Sequence, residues 1–470
     1  MPNFQRTLQL PSTIALVVGG IIGSGIFMKP ATMMAQLGSA WWLLGVWVLA
    51  GLITLCGALS NAELATLFPE TGGQYVFFSK IYGKQFAFLY GWASMAVFNT
   101  GGNASIAYVC SNYADFFLHL PRLDRATEQV ARIHLPLIGD IYPLENIGIK
   151  CLTILIIVLF TWINYYSLRW GASLQRLLTW IKLLAIAILL LGVINSSVGS
   201  MAHFSETLPG KPVGWALAAA CMAALSGAFW GYDGWNNITF VSGEIKDPQR
   251  NIPLSLLAGL LICTLVYVSL NAAFIYILSP SAMAASSWVA SDAARLMGGM
   301  AGAAIITGMV VVSTLGATNG NILSTARVTY ALGAANSLFA WAGKVHPRFY
   351  TPGNALWLNA IWAILLICSG SFDILTDMLV FVSWFFYGMS ALGVIILRIR
   401  MPNIERPYKV PGYPFIPLVF VGFTICFLVA TLITDVQQYV SGKSHLINSL
   451  LGVAITLLGL PLYYWSKSKN

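Results

Sequence analysis

The chain has 470 residues, 58% of them hydrophobic and only 9% charged, with a mean hydropathy of +0.76. A soluble domain carries about 25% charged residues, so the composition excludes one and makes the bilayer the solvent. The net charge of +9 does not indicate nucleic acid, because the basic residues are scattered over short loops as the positive-inside rule requires.

Apolar runs long enough to cross a hydrocarbon core of about 30 Å as helices recur along the whole length. In chain order they predict twelve spans, at 11–37, 40–66, 84–118, 147–167, 174–196, 213–243, 252–279, 299–333, 354–370, 374–398, 414–435 and 446–465. The opening MPNFQRTLQLPSTIALVVGG runs into the first span without a small-residue cleavage site, which predicts a retained helix and no signal peptide. Residues 119–146 form the longest polar stretch, where Arg122, Asp124, Arg125, Glu128 and Arg132 suit a short charged helix on a solvated surface segment. Residues 284–297 have helical spacing, which fits a cap across one mouth or a plain connector. With the N-terminus inside, inner loops and tails hold fifteen of the 25 basic residues and outer loops seven, while Lys29, Lys182 and Arg327 fall within spans. Both termini are therefore predicted to be cytoplasmic. The seven cysteines lie almost all inside apolar runs without a CxxC pair and read as small buried hydrophobes. Trp41, Trp42, Trp162, Trp170, Trp215, Trp357 and Trp465 fall near span ends, as interfacial belt residues do.

Two spans are chemically unusual. The first carries GGIIGSGIF from Gly19 to Phe27, followed by Lys29 and Pro30. Glycine costs about 1 kcal/mol against alanine inside a helix, so the Gly-Ser-Gly triplet predicts unwinding there. The sixth carries AFWGYDGWNN, with Gly231, Asp233 and Gly234 at its break. Glycines in membrane helices also serve close packing, but two breaks five spans apart, at corresponding positions of two halves, match the inverted repeats of secondary transporters. Where the first span restarts, the N–H groups of Gly25, Ile26 and Phe27 and the Ser24 hydroxyl would form a carboxylate site. Carbonyls around Ile21, and around Phe229 and Trp230, suit an ammonium group. Donors on one side and acceptors on the other predict a clasp for a small zwitterion such as an amino acid.

The runs IIGSGIFMKP, FPETGGQYVFFSKIYG, WGYDGWNNITFVSGEIKDP, STARVTYALG with HPRFYTPGNAL, and ERPYKVP together resemble the L-type amino acid transporters. These are the light subunits of heteromeric transporters and their bacterial relatives, within the amino acid, polyamine and organocation superfamily. The resemblance covers essentially the whole chain, in order. It implies an all-α membrane protein with a LeuT-like fold: two inverted five-helix repeats, about 11–196 and 213–398, two extra helices at about 414–465, and discontinuous helices 1 and 6. It also implies sodium-independent exchange of amino acids. Carried over by position, Ser24, Gly25 and Ile26 would bind the substrate carboxylate, carbonyls of Ile21, Trp230 and Asp233 would receive the amino group, Trp230 would be an aromatic gate, and Asn236 would help hold the site. Lys182 would reach toward the broken first helix and take the place of sodium. A heteromeric animal transporter would carry a cysteine between the third and fourth spans, and 119–146 has none. The expectation is a free-standing bacterial carrier in the plasma membrane, with no disulfide-linked heavy subunit and its oligomeric state open.

Several polar residues keep two readings. An ionisable group near the midplane is a functional candidate, and the family position of Asp233 is acidic in some carriers that accept cationic amino acids. Asp233 could equally accept hydrogen bonds from its own break. Lys182 could snorkel to the inner surface, and Asn319 could join its polar patch. Asn61 and Glu63, with Glu244, Lys246, Asp247 and Arg327, form either an inner gate or ordinary interfacial charges. Asp373 and Asp377 begin the tenth span, where the helix dipole accounts for an acid.

The leading function is an exchanger of small or neutral L-amino acids working by alternating access. The alternative is a proton-coupled symporter, or an antiporter of cationic amino acids or amines, with Asp233 or Lys182 titrating. All five histidines lie in loops or near span ends, so no enzyme activity, metal or cofactor is expected. A channel would need a filter motif, and none is legible.

Overall fold

The computed structural model describes residues 6, 8–70, 72–136, 139–166, 168–335, 337–370 and 372–468. The side chains of 168–176, 179, 337, 373 and 468 lie outside that description, and with them the readings of Trp170 and Asp373. In chain order the helices are α1 (Leu10–Ile21), α2 (Gly25–Leu37), α3 (Ala40–Leu67), α4 (Gln74–Ile81), α5 (Lys84–Ala93), α6 (Asn99–Leu118), α7 (Arg125–Val130), α8 (Ile147–Tyr166), α9 (Leu168–Ile194) and α10 (Trp215–Tyr232). Then come α11 (Asn237–Phe240), α12 (Pro248–Ile277), α13 (Pro280–Ala285), α14 (Val289–Ala335), α15 (Gly353–Ser369), α16 (Phe372–Arg400), α17 (Phe415–Val440), α18 (Asn448–Leu457) and α19 (Gly459–Ser468).

Among the described residues, eight segments are long and apolar enough to cross a membrane by themselves, and α1 with α2, bent by 44°, makes a ninth. The rod of α5 and α6, joined by a π turn at Ser94–Phe98, the 27-residue α9 and the 17-residue α15 complete twelve. Large apolar side chains such as Leu52, Leu155, Leu265 and Ile425 project outward, which in water would be a liability and in lipid is the expected surface. The belt reading holds for Trp41, Trp42, Trp162, Trp215 and Trp465, all exposed near helix ends. An even number of spans puts the start of α1 and the end of α19 on one face, called here the terminal face. The protein is an all-α membrane protein, with α1, α2, α3, α10 and α12 packed on one another and α14 packed on α6 and α9.

The polar stretch after α6 holds more than the short helix anticipated. Asp124 caps α7 through Thr127 N–H (3.2 Å) and Oγ1 (2.6 Å), which holds its carboxyl below the usual range. A two-stranded hairpin follows, β1 (Ile133–Leu135) with β2 (Gly139–Ile141). Hydrogen bonds from Arg132 (2.7 Å) and His134 (2.9 Å) tie Asp140 across it and lower its pKa. Strands of three residues carry too little alternation to be read from sequence. The 284–297 segment is a cap rather than a connector: Val289, Ala290, Ala293 and Ala294 are buried, α13 packs on α2, and the backbone kinks at Gly298 and Gly299 before the span begins.

On the terminal face the charges pair differently from the anticipated gate. Glu63 on α3, 2% exposed, accepts from Arg398 at 2.9 and 2.6 Å, lies 3.3 Å from Arg406, and accepts from Val410 N–H at 2.8 Å. Glu244 pairs with Arg327 at 3.4 Å. Glu63 thus clamps the loop after α16, the ERPYKVP run, against α3. Breaking a buried pair strands the remaining charge and costs about 3–5 kcal/mol. Glu63→Gln is expected to lower the thermal midpoint in detergent by several degrees, measured by fluorescence size-exclusion after heating. An unchanged midpoint would mean that the clamp contributes nothing.

Candidate functional site

Both anticipated breaks are present. α1 ends at Ile21, and α2 starts at Gly25 with Ser24 in the capping position. α10 ends at Tyr232, and the chain runs extended through Asp233 and turns at Gly234 (φ +95°) into the four-residue α11. The two breaks touch. A Cβ on Gly25 would lie 2.5 Å from Gly231 Cα, and one on Gly234 would lie 2.8 Å from the Gly20 carbonyl oxygen. Glycine is required at both positions by backbone approach, and at Gly234 also by the left-handed φ.

Between the breaks lies a cavity of about 30 Å³, lined by Gly20, Ile21, Gly23, Ser24, Gly25, Trp230, Asp233 and Gly234, and by Gly102, Ile106 and Asn321 from α6 and α14. Five of the anticipated site residues, Ile21, Ser24, Gly25, Trp230 and Asp233, therefore line one cavity. Gly25 and Ile26 stand in the first turn of α2, whose N–H groups have no carbonyl within their helix. The Ser24 hydroxyl is buried and makes no hydrogen bond among the described residues. The N–H of Phe27 is not available as anticipated, because it donates to the Ser24 carbonyl at 3.1 Å.

The acceptor side is also more engaged than helix ends alone suggest. Tyr267 on α12, fully buried, places its hydroxyl 2.8 Å from the Ile21 carbonyl oxygen and 2.7 Å from that of Gly231. One O–H cannot donate fully to both, so Tyr267 bridges the two broken helices with one proton. The Trp230 carbonyl accepts from Asp233 N–H at 3.2 Å. Trp230 itself is 6% exposed and meets Phe372 edge-on at 6.1 Å.

Lys182, Ile26 and Asn236 stand outside the cavity wall. Lys182, 1% exposed, reaches the carbonyl end of α1, donating to Gly19 O at 3.2 Å and to Ile22 O. It does not snorkel. Asn236 donates to Gln74 Oε1 (3.2 Å), which also accepts from Tyr90 (3.0 Å). Tyr387 on α16 donates to Asp233 Oδ1 at 2.8 Å and lies 3.4 Å from Asn236 Oδ1. The FPETGGQYV run sits beneath the second break, with Gly72 N–H on the Phe240 carbonyl at 3.3 Å. Asn319 accepts from Asn164 at 2.8 Å, whereas Asn321, two residues on, lines the cavity and donates to Asn103 at 2.8 Å. Tyr267, Tyr387, Gly102 and Asn321 carry no signal in sequence beyond polar or small residues in apolar runs, and Ile106 carries none at all.

Residues 8–458 match the model of the amino acid permease family. The chain is 30% identical over 473 residues to the serine/threonine exchanger SteT of Bacillus subtilis (strain 168), covering 100% of this chain and 98% of SteT. It is 31% identical over 468 residues to large neutral amino acids transporter small subunit 2 of Mus musculus (98% and 81% covered) and 28% identical over 435 residues to the b(0,+)-type amino acid transporter 1 of the same species (92% and 84%). A match of this extent, on a chain with two broken helices around one polar cavity, shows that the protein belongs to the amino acid permease family.

Proposed function

We propose that the chain is a sodium-independent exchanger of small or neutral L-amino acids, working by alternating access in the plasma membrane with both termini cytoplasmic. The observation that carries this is the clasp itself: the orphan Ser24 hydroxyl and the first-turn N–H of Gly25 share one cavity with Ile21 and Asp233, and Ile26 N–H stands just behind them in the same turn of α2. Carboxylate binds at the donor end and ammonium at the carbonyl end. The cavity holds only a water or two, so loading requires the helices around it to part, which is the motion alternating access supplies. Lys182 stands as a resident cation on the α1 carbonyls, the role sodium would otherwise fill. Residues 11–196 and 213–398 would form the inverted repeats, with 414–465 as the two added helices, and no disulfide-linked subunit is needed. The printed name of SteT, an exchanger of serine and threonine, supports exchange and small substrates.

Proteoliposomes preloaded with unlabelled serine are expected to take up labelled serine at least tenfold faster than empty vesicles, equally in sodium and potassium. Uptake into empty vesicles driven by a pH gradient would overturn exchange. A second reading, cationic substrates, rests on the carboxylate of Asp233 at the wall. Under the neutral reading Tyr387 occupies that carboxylate, so Asp233→Asn should leave serine exchange within about threefold and give no loss of arginine competition. Selective loss of arginine competition in that variant would favour the cationic reading.

A further inference from the structure

A second cavity, larger than the one between the breaks, lies elsewhere in the fold. On the side of α2 away from the terminal face, a cavity of about 280 Å³ opens between α2, α10, α16 and α17, and it is strongly polar for a chain that is 9% charged. Lys29 stands in its wall, 5% exposed, donating to Thr376 Oγ1 at 3.2 Å, with its Nζ 4.8 Å from the centroid of the Phe372 ring. Two carboxylates also line the cavity. Asp435 is held by Ser449 N–H at 2.9 Å, and Asp377 accepts long bonds from Ser226 (3.5 Å) and Asn448 (3.4 Å). Gln36 Oε1, also in the wall, is buried and makes no hydrogen bond among the described residues. An orphan acceptor in an apolar surrounding is costly, and it calls for a donor.

We propose that this cavity is a second amino acid site, on the route to the clasp. Its ligand is a small zwitterion, with the carboxylate at Lys29 and the ammonium at Asp435 and Gln36. The site is coupled to the gate through one ring, because Phe372 is in contact with Lys29 on one side and edge-on to Trp230 on the other. A carboxylate that draws Lys29 toward the cavity weakens its cation–π contact with Phe372 and loosens the ring that backs Trp230. The inference rests on the amino acid exchanger reading and adds a waiting position to it.

Binding of labelled L-serine to the full chain, by equilibrium dialysis in phosphatidylglycerol nanodiscs, tests it, since that lipid offers no amine headgroup to occupy the cavity. Two equivalents are expected in the wild type. Thr434→Trp, which fills the cavity, is expected to leave one, and Asp435→Asn, which keeps the side chain's size, is expected to weaken one equivalent about tenfold. Gly25→Val is expected to remove the other. One equivalent in the wild type, lost in Gly25→Val and untouched by Thr434→Trp and Asp435→Asn, overturns the second site and leaves the exchanger standing. Two equivalents that survive both cavity variants place the second molecule elsewhere and also overturn it. No binding in the wild type would remove the exchanger reading together with the second site.

Discussion

Gly25→Ala is expected to reduce serine exchange to below a tenth of wild type while the protein still inserts and elutes as a single species. The added Cβ would sit 2.5 Å from Gly231 Cα and 2.9 Å from Gly231 N, both backbone atoms that cannot rotate aside. Overpacking of this kind costs about 1–3 kcal/mol, and here it forces apart the two helix ends that form the clasp. Each 1.4 kcal/mol is a factor of ten, so the range corresponds to a loss of about fivefold to a hundredfold, and two contacts under 3 Å with backbone put Gly25→Ala in its upper part. Gly23→Ala is the control, because its Cβ would find Ile21 O at 3.8 Å and Ala317 Cβ at 3.9 Å, ordinary contact distances. Exchange within about threefold of wild type is expected there. Equal loss in both variants would mean that glycine content, not the contact with Gly231, decides the phenotype.

Lys182→Ala is expected to lower exchange at least a hundredfold. The ammonium makes charge-assisted bonds to Gly19 O and Ile22 O, each worth about 1.5–3 kcal/mol, and it offsets the partial negative charge where α1 ends. Without it two buried carbonyls are stranded at the mouth of the first break. If Lys182 acts as a resident cation, raising sodium in the assay should partly restore exchange in the alanine variant and leave the wild type unaffected. A variant that stays equally slow in sodium and potassium would show that the lysine positions α1 by packing and not as a bound charge.

The spans were legible because hydropathy and length are local properties, and the observed helices match the anticipated ones to within a few residues for α3, α8, α15 and α16. The hairpin of β1 and β2 and the π turn at Ser94–Phe98 were not legible, since three to five residues carry little periodicity, and the helical spacing of 284–297 left cap and connector open because burial depends on remote neighbours. The pairing of Glu63 with Arg398 joins residues 335 apart in sequence. Opposite charges at span ends are visible in the chain, but their partners are set by which helices lie side by side. That is why the sequence groups Glu63 with Glu244, Lys246, Asp247 and Arg327 in one layer, whereas its partners are Arg398 and Arg406.

The two broken helices show the division most clearly. The sequence by itself determined that the first and sixth spans unwind and that each break ends helices with donors or acceptors to spare, from which the zwitterion is proposed, because glycine propensity and helix-end chemistry depend only on neighbours along the chain. Tertiary structure decided which of those groups remain available. Tyr267 from α12 claims the Ile21 and Gly231 carbonyls, Tyr387 from α16 claims Asp233, and the Ser24 carbonyl folds back onto Phe27 N–H. The two tyrosines come from remote segments, and the low dielectric of the membrane interior makes each such hydrogen bond costly to leave unmade.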